Sequence, residues 1–249
     1  MDQKVKSFNC SAEEWQQRVE LAACYRLLAH FGVDDLTYNH LSVRVAHDAD
    51  TLLIKAPDQM FGEVCASSLR KHRFDGVACD SGAPLTGGSL VIHAGILAAR
   101  RDINAVFHTH TVATMGVSSQ PRGLLMVNQH AIRFFDRLSY HDFGGFEFNL
   151  DQREPLIASL ATNRVALLRN HGMLACGRTL AEAFIEHHFL EMACKGQIAA
   201  QAGGEVGLID LEVVRFAATQ LDCENVVAGD KDWSACMRLA YRLDPGFAE

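Results

Sequence analysis

The chain has 249 residues, of which 49% are hydrophobic and 21% are charged, and its formal net charge is -7 at pH 7. This composition is that of an ordinary globular protein with enough apolar residues for one sizeable core. Only 23 residues are lysine or arginine, so the clustered basic surface that binds nucleic acid or anionic membranes is not expected. A small anionic substrate stays compatible with this charge, because a metal ion and one arginine neutralise it locally.

Targeting and linker signals are missing from the sequence. The initial segment MDQKVKSFNC has no apolar leader, and no apolar run approaches the roughly 18 residues that cross a bilayer. The eight cysteines form no Cys-x-x-Cys pair and lie mostly in apolar stretches, which favours reduced thiols over a zinc finger or disulfides. No linker rich in proline, glycine or serine divides the chain. We therefore expect a cytoplasmic protein with one domain over residues 1–249.

Capping residues and hydrophobic spacing predict helices around a central set of strands. Ser11 and Glu14 form a capping box at the start of the first helix, and Gly32 ends it. Helices are predicted over 11–30, 89–101, 112–118, 152–161, 179–202, 209–221 and 230–242. Strands are predicted over 41–45, 51–55, 104–110, 124–127, 133–138, 165–169 and 173–176. Several strands are joined by short turns, so the class is α/β with a mixed or antiparallel sheet.

Two histidines at the end of a buried predicted strand suggest a metal site. His108 and His110 are at positions i and i+2, so both imidazoles project from one face and could chelate one cation. His171 is the best third ligand, because it follows another buried strand and precedes Gly172, which permits a close turn. Three ligands with one open position are typical of a catalytic zinc site. The alternative is that these histidines bind no metal, with His108 and His110 forming a polar strand end and His171 a simple turn.

These residues and several others resemble the class II aldolase/adducin family. The matching segments are Phe107-His-Thr-His110, Asn170-His-Gly-Met-Leu174, Asn39-His-Leu-Ser-Val-Arg44, Ile92-His-Ala-Gly-Ile-Leu-Ala-Ala-Arg-Arg-Asp102 and Gly177-Arg-Thr-Leu-Ala-Glu-Ala-Phe184. The resemblance covers roughly residues 11–205. It implies a three-layer α/β/α fold with a central, mostly antiparallel sheet, and a homotetramer with active sites at subunit boundaries. It also implies that His108, His110 and His171 hold a divalent metal, with zinc favoured and manganese, iron or cobalt as alternatives.

The sequence departs from the sugar-phosphate aldolases of this family at the acid/base and phosphate positions. The position of their acidic acid/base residue falls on Ser89, and the preceding serine pair falls on Gly87 and Gly88. A serine cannot replace a carboxylate as a base near neutral pH without a strong activator. The Gly-Asn pair of the phosphate cradle falls on Asn39 and His40. These differences argue against a sugar-phosphate substrate, although the metal ligands are in place.

The function expected from this pattern is a metal-dependent lyase. Its substrate would be a small hydroxy or keto acid, or an aromatic acid, and its reaction a retro-aldol cleavage or decarboxylation through a metal-stabilised enolate. Candidate catalytic residues are Ser89 and His130, and candidate substrate-binding residues are Asn39, His40, Gly88, Gln129 and Tyr241. The alternatives are a non-haem metal oxygenase on the same fold and a non-enzymatic, adducin-like interaction domain.

Overall fold

The computed structural model describes residues 10–80, 82–146 and 148–249, without the side chains of residues 222–230. Residues 1–9, in which the sequence shows no apolar leader, lie outside the described residues. Among the described helices, none is both long and apolar enough to span a membrane.

Seven strands form one central sheet in the order β3-β2-β1-β4-β7-β6-β5. The strands are β1 His40–Arg44, β2 Thr51–Ile54, β3 Arg70–Arg73, β4 Ala105–Thr109, β5 Leu138–His141, β6 Val165–Leu168 and β7 Gly172–Gly177. Every neighbouring pair is antiparallel except β5 and β6, which run parallel. The predicted class, α/β with a mostly antiparallel sheet, is confirmed.

Helices cover both faces of this sheet. They are α1 Ala12–His30, a π-helical turn Ser89–Ala94 that continues into α2 Gly95–Ala99, α3 Val112–Ser118, α4 Gln129–Ile132, α5 Arg153–Leu160, α6 Leu180–Ala202 and α7 Leu211–Leu243. Short 3-10 turns lie at Phe61–Glu63, Ala66–Ser68, Leu150–Gln152 and Pro245–Ala248. Successive side chains of β4 point to opposite faces of the sheet and pack in different cores. Phe107 packs with α1 and α6, and Val106 packs with the π-helical turn and α5.

The start of α1 differs in part from its prediction. Ser11 caps the helix by accepting the N–H of Glu14 at 3.0 Å. The Glu14 carboxylate does not reach back as a capping box requires, since it forms ion pairs with Arg18 at 2.9 Å and Lys71 at 3.0 Å. The buried carboxylate therefore ties α1 to β3.

Two predicted strands in the middle of the chain are wrong. Residues 124–127 are irregular, because the Leu124 N–H donates to the Tyr140 hydroxyl at 2.9 Å and the Leu125 N–H donates to Gln197 Oε1 at 2.7 Å. Residues 133–137 form turns, and the strand begins at Leu138 instead. Tyr140 therefore lies in β5.

The edge strand and the last helix also differ from prediction. Strand β3 has the sequence Arg-Lys-His-Arg and pairs with β2 at the edge of the sheet. Because an edge strand can be polar on both faces, no hydrophobic alternation predicted it. The helices predicted over 209–221 and 230–242 are one continuous helix, α7.

Candidate metal centre

Three histidines meet where β4 ends beside the turn into β7. His108 lies in β4 opposite Leu174 of β7, and His110 follows the end of β4. His171 lies in the turn before β7, where Asn170 adopts a left-handed conformation with φ 59°. A Cβ atom on Gly172 would lie 2.4 Å from the Thr109 carbonyl oxygen. Only glycine allows this close approach, which brings His171 to the other two histidines.

The three imidazoles converge through their Nε2 atoms. The distance from His110 Nε2 is 3.0 Å to His108 Nε2 and 3.0 Å to His171 Nε2. The possible ligand atoms of all three residues lie within 4.8 Å of one another. Two nitrogens on a tetrahedral zinc ion are about 3.3 Å apart. The spacing therefore suits one small cation bound by all three residues.

The tautomers of two of these histidines follow from their second ring nitrogen. His108 Nδ1 lies 3.0 Å from the carbonyl oxygen of Met173, which can only accept, so Nδ1 carries the proton. His110 Nδ1 lies 3.1 Å from the carboxylate of Asp35, which fixes the same tautomer. Both Nε2 atoms therefore present lone pairs to each other at 3.0 Å. A cation shared between these nitrogens would bind both lone pairs, and a carboxylate behind a ligand histidine is typical of metal sites.

Burial keeps the central imidazole uncharged. His108 is 2% exposed, and the loss of solvent lowers its pKa well below the usual value, with His110 and His171 adding to this shift. A neutral imidazole is the form that binds a metal ion. The donor set is therefore chemically suited to a divalent metal, and three imidazoles accommodate zinc, manganese, iron or cobalt.

The opposite face of β4 is held by α6. Thr109 points away from the triad, and its hydroxyl lies 2.8 Å from His187 Nε2. Thr111 caps α3 and donates to the buried Glu191 carboxylate at 2.6 Å. These contacts hold the segment that carries His108 and His110 from the side of the sheet away from the ligand atoms.

A second group of polar side chains lies on the triad's side of the sheet. His40 is paired with His108 across β1 and β4, and their ring centroids are 5.2 Å apart. His40 Nδ1 lies 2.7 Å from His93 Nε2, and His93 Nδ1 lies 2.6 Å from the Ser42 hydroxyl. Burial lowers the pKa of His40 well below its usual value and that of His93 to about 3. Both imidazoles are therefore neutral near pH 7.

Four predicted site residues lie at or next to this centre. Asn39 is fully buried and accepts the backbone N–H of His110 through Oδ1 at 2.8 Å. A Cβ atom on Gly88 would lie 3.7 Å from His40 Nε2, so the turn before the π-helical segment faces His40. Ser89 begins the π-helical segment, and Gly88 occupies the N-cap position.

Three other predicted residues lie on the surface of α4 and α7. Gln129 is exposed, the His130 ring packs 5.2 Å from Phe189, and Tyr241 packs 4.8 Å from Phe247. Within the described residues of one chain, none of these three forms a hydrogen bond or ring contact with the triad. Their roles stay predictions.

Three residues that support the centre carry little or no signal in the sequence. Asp35 carries no local signal, since it reaches His110 from a loop 75 positions away. His93 has the buried surroundings of a structural helix residue, and only its contacts distinguish it. Ser42 offers a weak signal, because it shares a strand face with His40 at position i+2. Phe143 also lies beside the centre, with its ring 6.2 Å from that of His171.

Comparisons with known proteins agree with this fold. The profile of the Class II Aldolase and Adducin N-terminal domain matches residues 19–198. A Caulobacter vibrioides protein named "Putative aldolase class 2 protein" is 36% identical over 96% of this chain and 94% of its own. The crystal structure of an aldolase II superfamily protein from Pseudomonas syringae has a TM-score of 0.91 at 38% identity, covering 96% of this chain and 97% of that one.

Adducins are also related to this chain. Mouse alpha-adducin is 34% identical over 81% of this chain, but the match spans only 28% of the adducin. The profile match and the relatives that align over nearly the full length lead to one conclusion. The chain belongs to the class II aldolase and adducin family.

Proposed function

We propose that this protein is a metal-dependent lyase that cleaves a C–C bond in a small hydroxy or keto acid, or an aromatic acid. The observation that carries the proposal is the contact between the Nε2 lone pairs of His108 and His110, with His171 beside them. Three imidazole nitrogens brought this close together form a donor set that one cation could share. Membership of the class II aldolase family supports lyase chemistry in general.

The proposed metal ligands are His108, His110 and His171, and zinc is the proposed metal. A divalent cation there supplies Lewis acidity, which stabilises the negative charge that retro-aldol cleavage or decarboxylation leaves on substrate oxygen. Asp35 and the Met173 carbonyl keep the His110 and His108 rings in the tautomers that bind a cation. Imidazole donors also bind manganese, iron and cobalt, and metal analysis of the purified protein would identify any of these ions.

Residues on the π-helical side are proposed to contact the substrate. His40 and Gly88 lie next to each other, and Asn39 fixes the backbone of His110. Ser89 offers a hydroxyl at the start of the π-helical segment, but a hydroxyl of ordinary acidity does not act as a base near neutral pH. The absence of a carboxylate at this position favours an acid substrate over a sugar phosphate.

The location and assembly of the protein are also proposals. The composition of the chain supports a cytoplasmic protein, and its family supports a homo-oligomer, for which we propose a tetramer. Light scattering of the purified chain is expected to give four times the monomer mass of 27.4 kDa. A monomeric mass at micromolar concentration would contradict this.

The test of the proposed metal site is the metal content of protein purified without added metal. We expect one equivalent of zinc in the unaltered protein and its loss in His108→Ala and His171→Ala. His72→Ala is the matched control, because it removes a buried imidazole of β3 that hydrogen-bonds Ala83, and β2 and β1 separate β3 from β4. Full metallation of both triad variants would show that the ligands are wrongly assigned.

The reaction class is tested with a panel of hydroxy, keto and aromatic acids, with and without oxygen. The lyase proposal predicts cleavage of at least one acid at the same rate in both conditions. Oxygen consumption in step with turnover would replace it by an oxygenase. A metal-free protein with no turnover would favour the interaction domain suggested by the adducin relatives.

A further inference from the structure

We propose that His40 is a substrate-contact residue that donates an Nε2 proton to a substrate oxygen, and that Ser42 and His93 are positioning residues that maintain this tautomer. The inference rests on the proposed function for the identity of the substrate, a small acid. It concerns a chain of three side chains beside the triad rather than the metal ligands themselves.

The three side chains form a continuous line of hydrogen bonds. The Ser42 hydroxyl oxygen lies 2.6 Å from His93 Nδ1, and His93 Nε2 lies 2.7 Å from His40 Nδ1. Ser42 and His40 share one face of β1, and His93 reaches them from the π-helical turn. Each histidine uses one nitrogen in each contact, so the direction of one hydrogen bond sets the direction of the next.

The burial of Ser42 sets that direction. Ser42 is fully buried, and within the described residues its hydroxyl has no acceptor other than His93 Nδ1. A buried hydroxyl proton without an acceptor is costly, so Ser42 donates to His93 Nδ1. His93 therefore carries its proton on Nε2 and donates to His40 Nδ1. His40 must then carry its own proton on Nε2.

The protonated Nε2 of His40 lies near Gly88, and the ring lies next to His108. A Cβ atom added to Gly88 would lie 3.7 Å from this nitrogen. His40 is half-buried, and its Nε2 forms no hydrogen bond with the described residues. The ring lies 5.2 Å from that of His108. A substrate oxygen held near the three ligands would therefore find a hydrogen-bond donor that no protein group uses.

The neighbouring imidazoles thus have opposite tautomers and different tasks. His108 and His110 carry the proton on Nδ1 and present lone pairs, which bind a cation. His40 carries it on Nε2 and presents a proton, which binds an oxygen and excludes this ring as a fourth metal ligand. Burial of His93 lowers its pKa to about 3, which keeps this imidazole uncharged between Ser42 and His40.

The direct test is ¹⁵N NMR of metal-free protein labelled in its histidines. The protonated and unprotonated ring nitrogens are distinguished by their chemical shifts, and the His40 signals are assigned by their loss in His40→Gln. We expect a neutral His40 with the proton on Nε2, before and after zinc is added. A proton on Nδ1, or coordination of His40 Nε2 to added zinc, would overturn the proposal.

The positioning roles are tested with variants and a defined probe, glycolate, titrated into zinc-loaded protein. Ser42→Ala and His93→Met should each lower the affinity for glycolate about tenfold, the effect of one lost hydrogen bond, with unchanged zinc content. Ser42→Thr keeps the hydroxyl and should restore both the affinity and the His40 tautomer. His72→Met is the control for the loss of a buried imidazole, and it should leave glycolate affinity unchanged.

Failure of this inference is distinguishable from failure of the proposed function. If the protein binds no zinc, the proposed function fails, but the tautomer of His40 is still measured in the metal-free protein. If zinc binds and His40 has its proton on Nδ1, only the inference fails. Unchanged glycolate affinity in both Ser42→Ala and His93→Met would also contradict it.

Discussion

The end of β4 and the surface formed by α4 and α7 both carry predicted site residues, but they are built differently. At the end of β4, His108 and His110 have partners for their backbone or second ring nitrogen in Met173, Asp35 and Asn39. On the α4 and α7 surface, Gln129 is exposed and Tyr241 is 49% exposed. The first region is organised within one chain, whereas the second has no described hydrogen bond or ring contact with the triad of its own chain, and we propose that it acts on the triad of another copy.

The difference shows what a functional side chain requires from its fold. A metal ligand must be fixed in tautomer and orientation, and this depends on buried partners from several strands. A residue that acts across a subunit boundary needs only to be presented on a surface. Removal of a partner residue in the first region should therefore weaken metal binding. A substitution in the second region should lower turnover and leave metal binding unchanged.

The largest effect is expected from removal of the carboxylate behind His110. Asp35→Ala should weaken zinc binding about 10–100-fold, the usual cost of losing such a partner, and Asp35→Asn should lose less because its amide oxygen still accepts from Nδ1. Zinc affinity is measured by competition with a chelating dye. Asp34→Ala, on the exposed neighbouring residue, is the control. Equal affinity in Asp35→Ala and Asp34→Ala would contradict the role of Asp35.

A smaller effect is expected from the histidine behind β4. Burial lowers the pKa of His187 to about 3, below the ordinary value of 6.5. The unfolded chain therefore binds more protons between these values, and the free energy of unfolding should fall as pH falls below about 6.5, by up to about 1.4 kcal/mol per pH unit from this group. Denaturant titrations of metal-free protein from pH 7 to 5 measure this slope.

His187→Gln removes the titrating group while keeping an amide near Thr109, so the pH dependence should become less steep. His30→Gln, at an exposed position at the end of α1, serves as the control and should keep the original slope. An unchanged slope in His187→Gln would show that His187 does not contribute.

The smallest effect on metal binding is expected on the α4 and α7 surface. His130→Ala should keep its zinc and lose about tenfold in turnover, as expected for one lost substrate contact. Mixing His130→Ala with His108→Ala protein should restore part of the activity, because mixed oligomers contain sites with both residues intact. Gln129→Ala and Tyr241→Phe extend the test. Failure of mixing to restore activity would place His130 outside the site.

The local patterns of the sequence predicted much of this protein. Short-range spacing predicted α1, α6 and most strands, because helix caps and side-chain alternation depend on neighbouring residues. The pair His108 and His110 was evident for the same reason, since positions i and i+2 of a strand share a face. The family resemblance, carried by several such segments together, predicted the α/β class and the family that the comparisons confirm.

Contacts between distant segments were decided only by the tertiary structure. Strand β3 is polar, and it exists because β2 supplies its hydrogen bonds. The tautomers of His108 and His110 depend on Met173 and Asp35, which lie 65 and 75 positions away in the chain. The hydrogen bonds from Ser42 through His93 to His40 depend on how β1 packs against the π-helical turn. Sheet register and burial determine which polar atoms meet, and neither is encoded in local spacing.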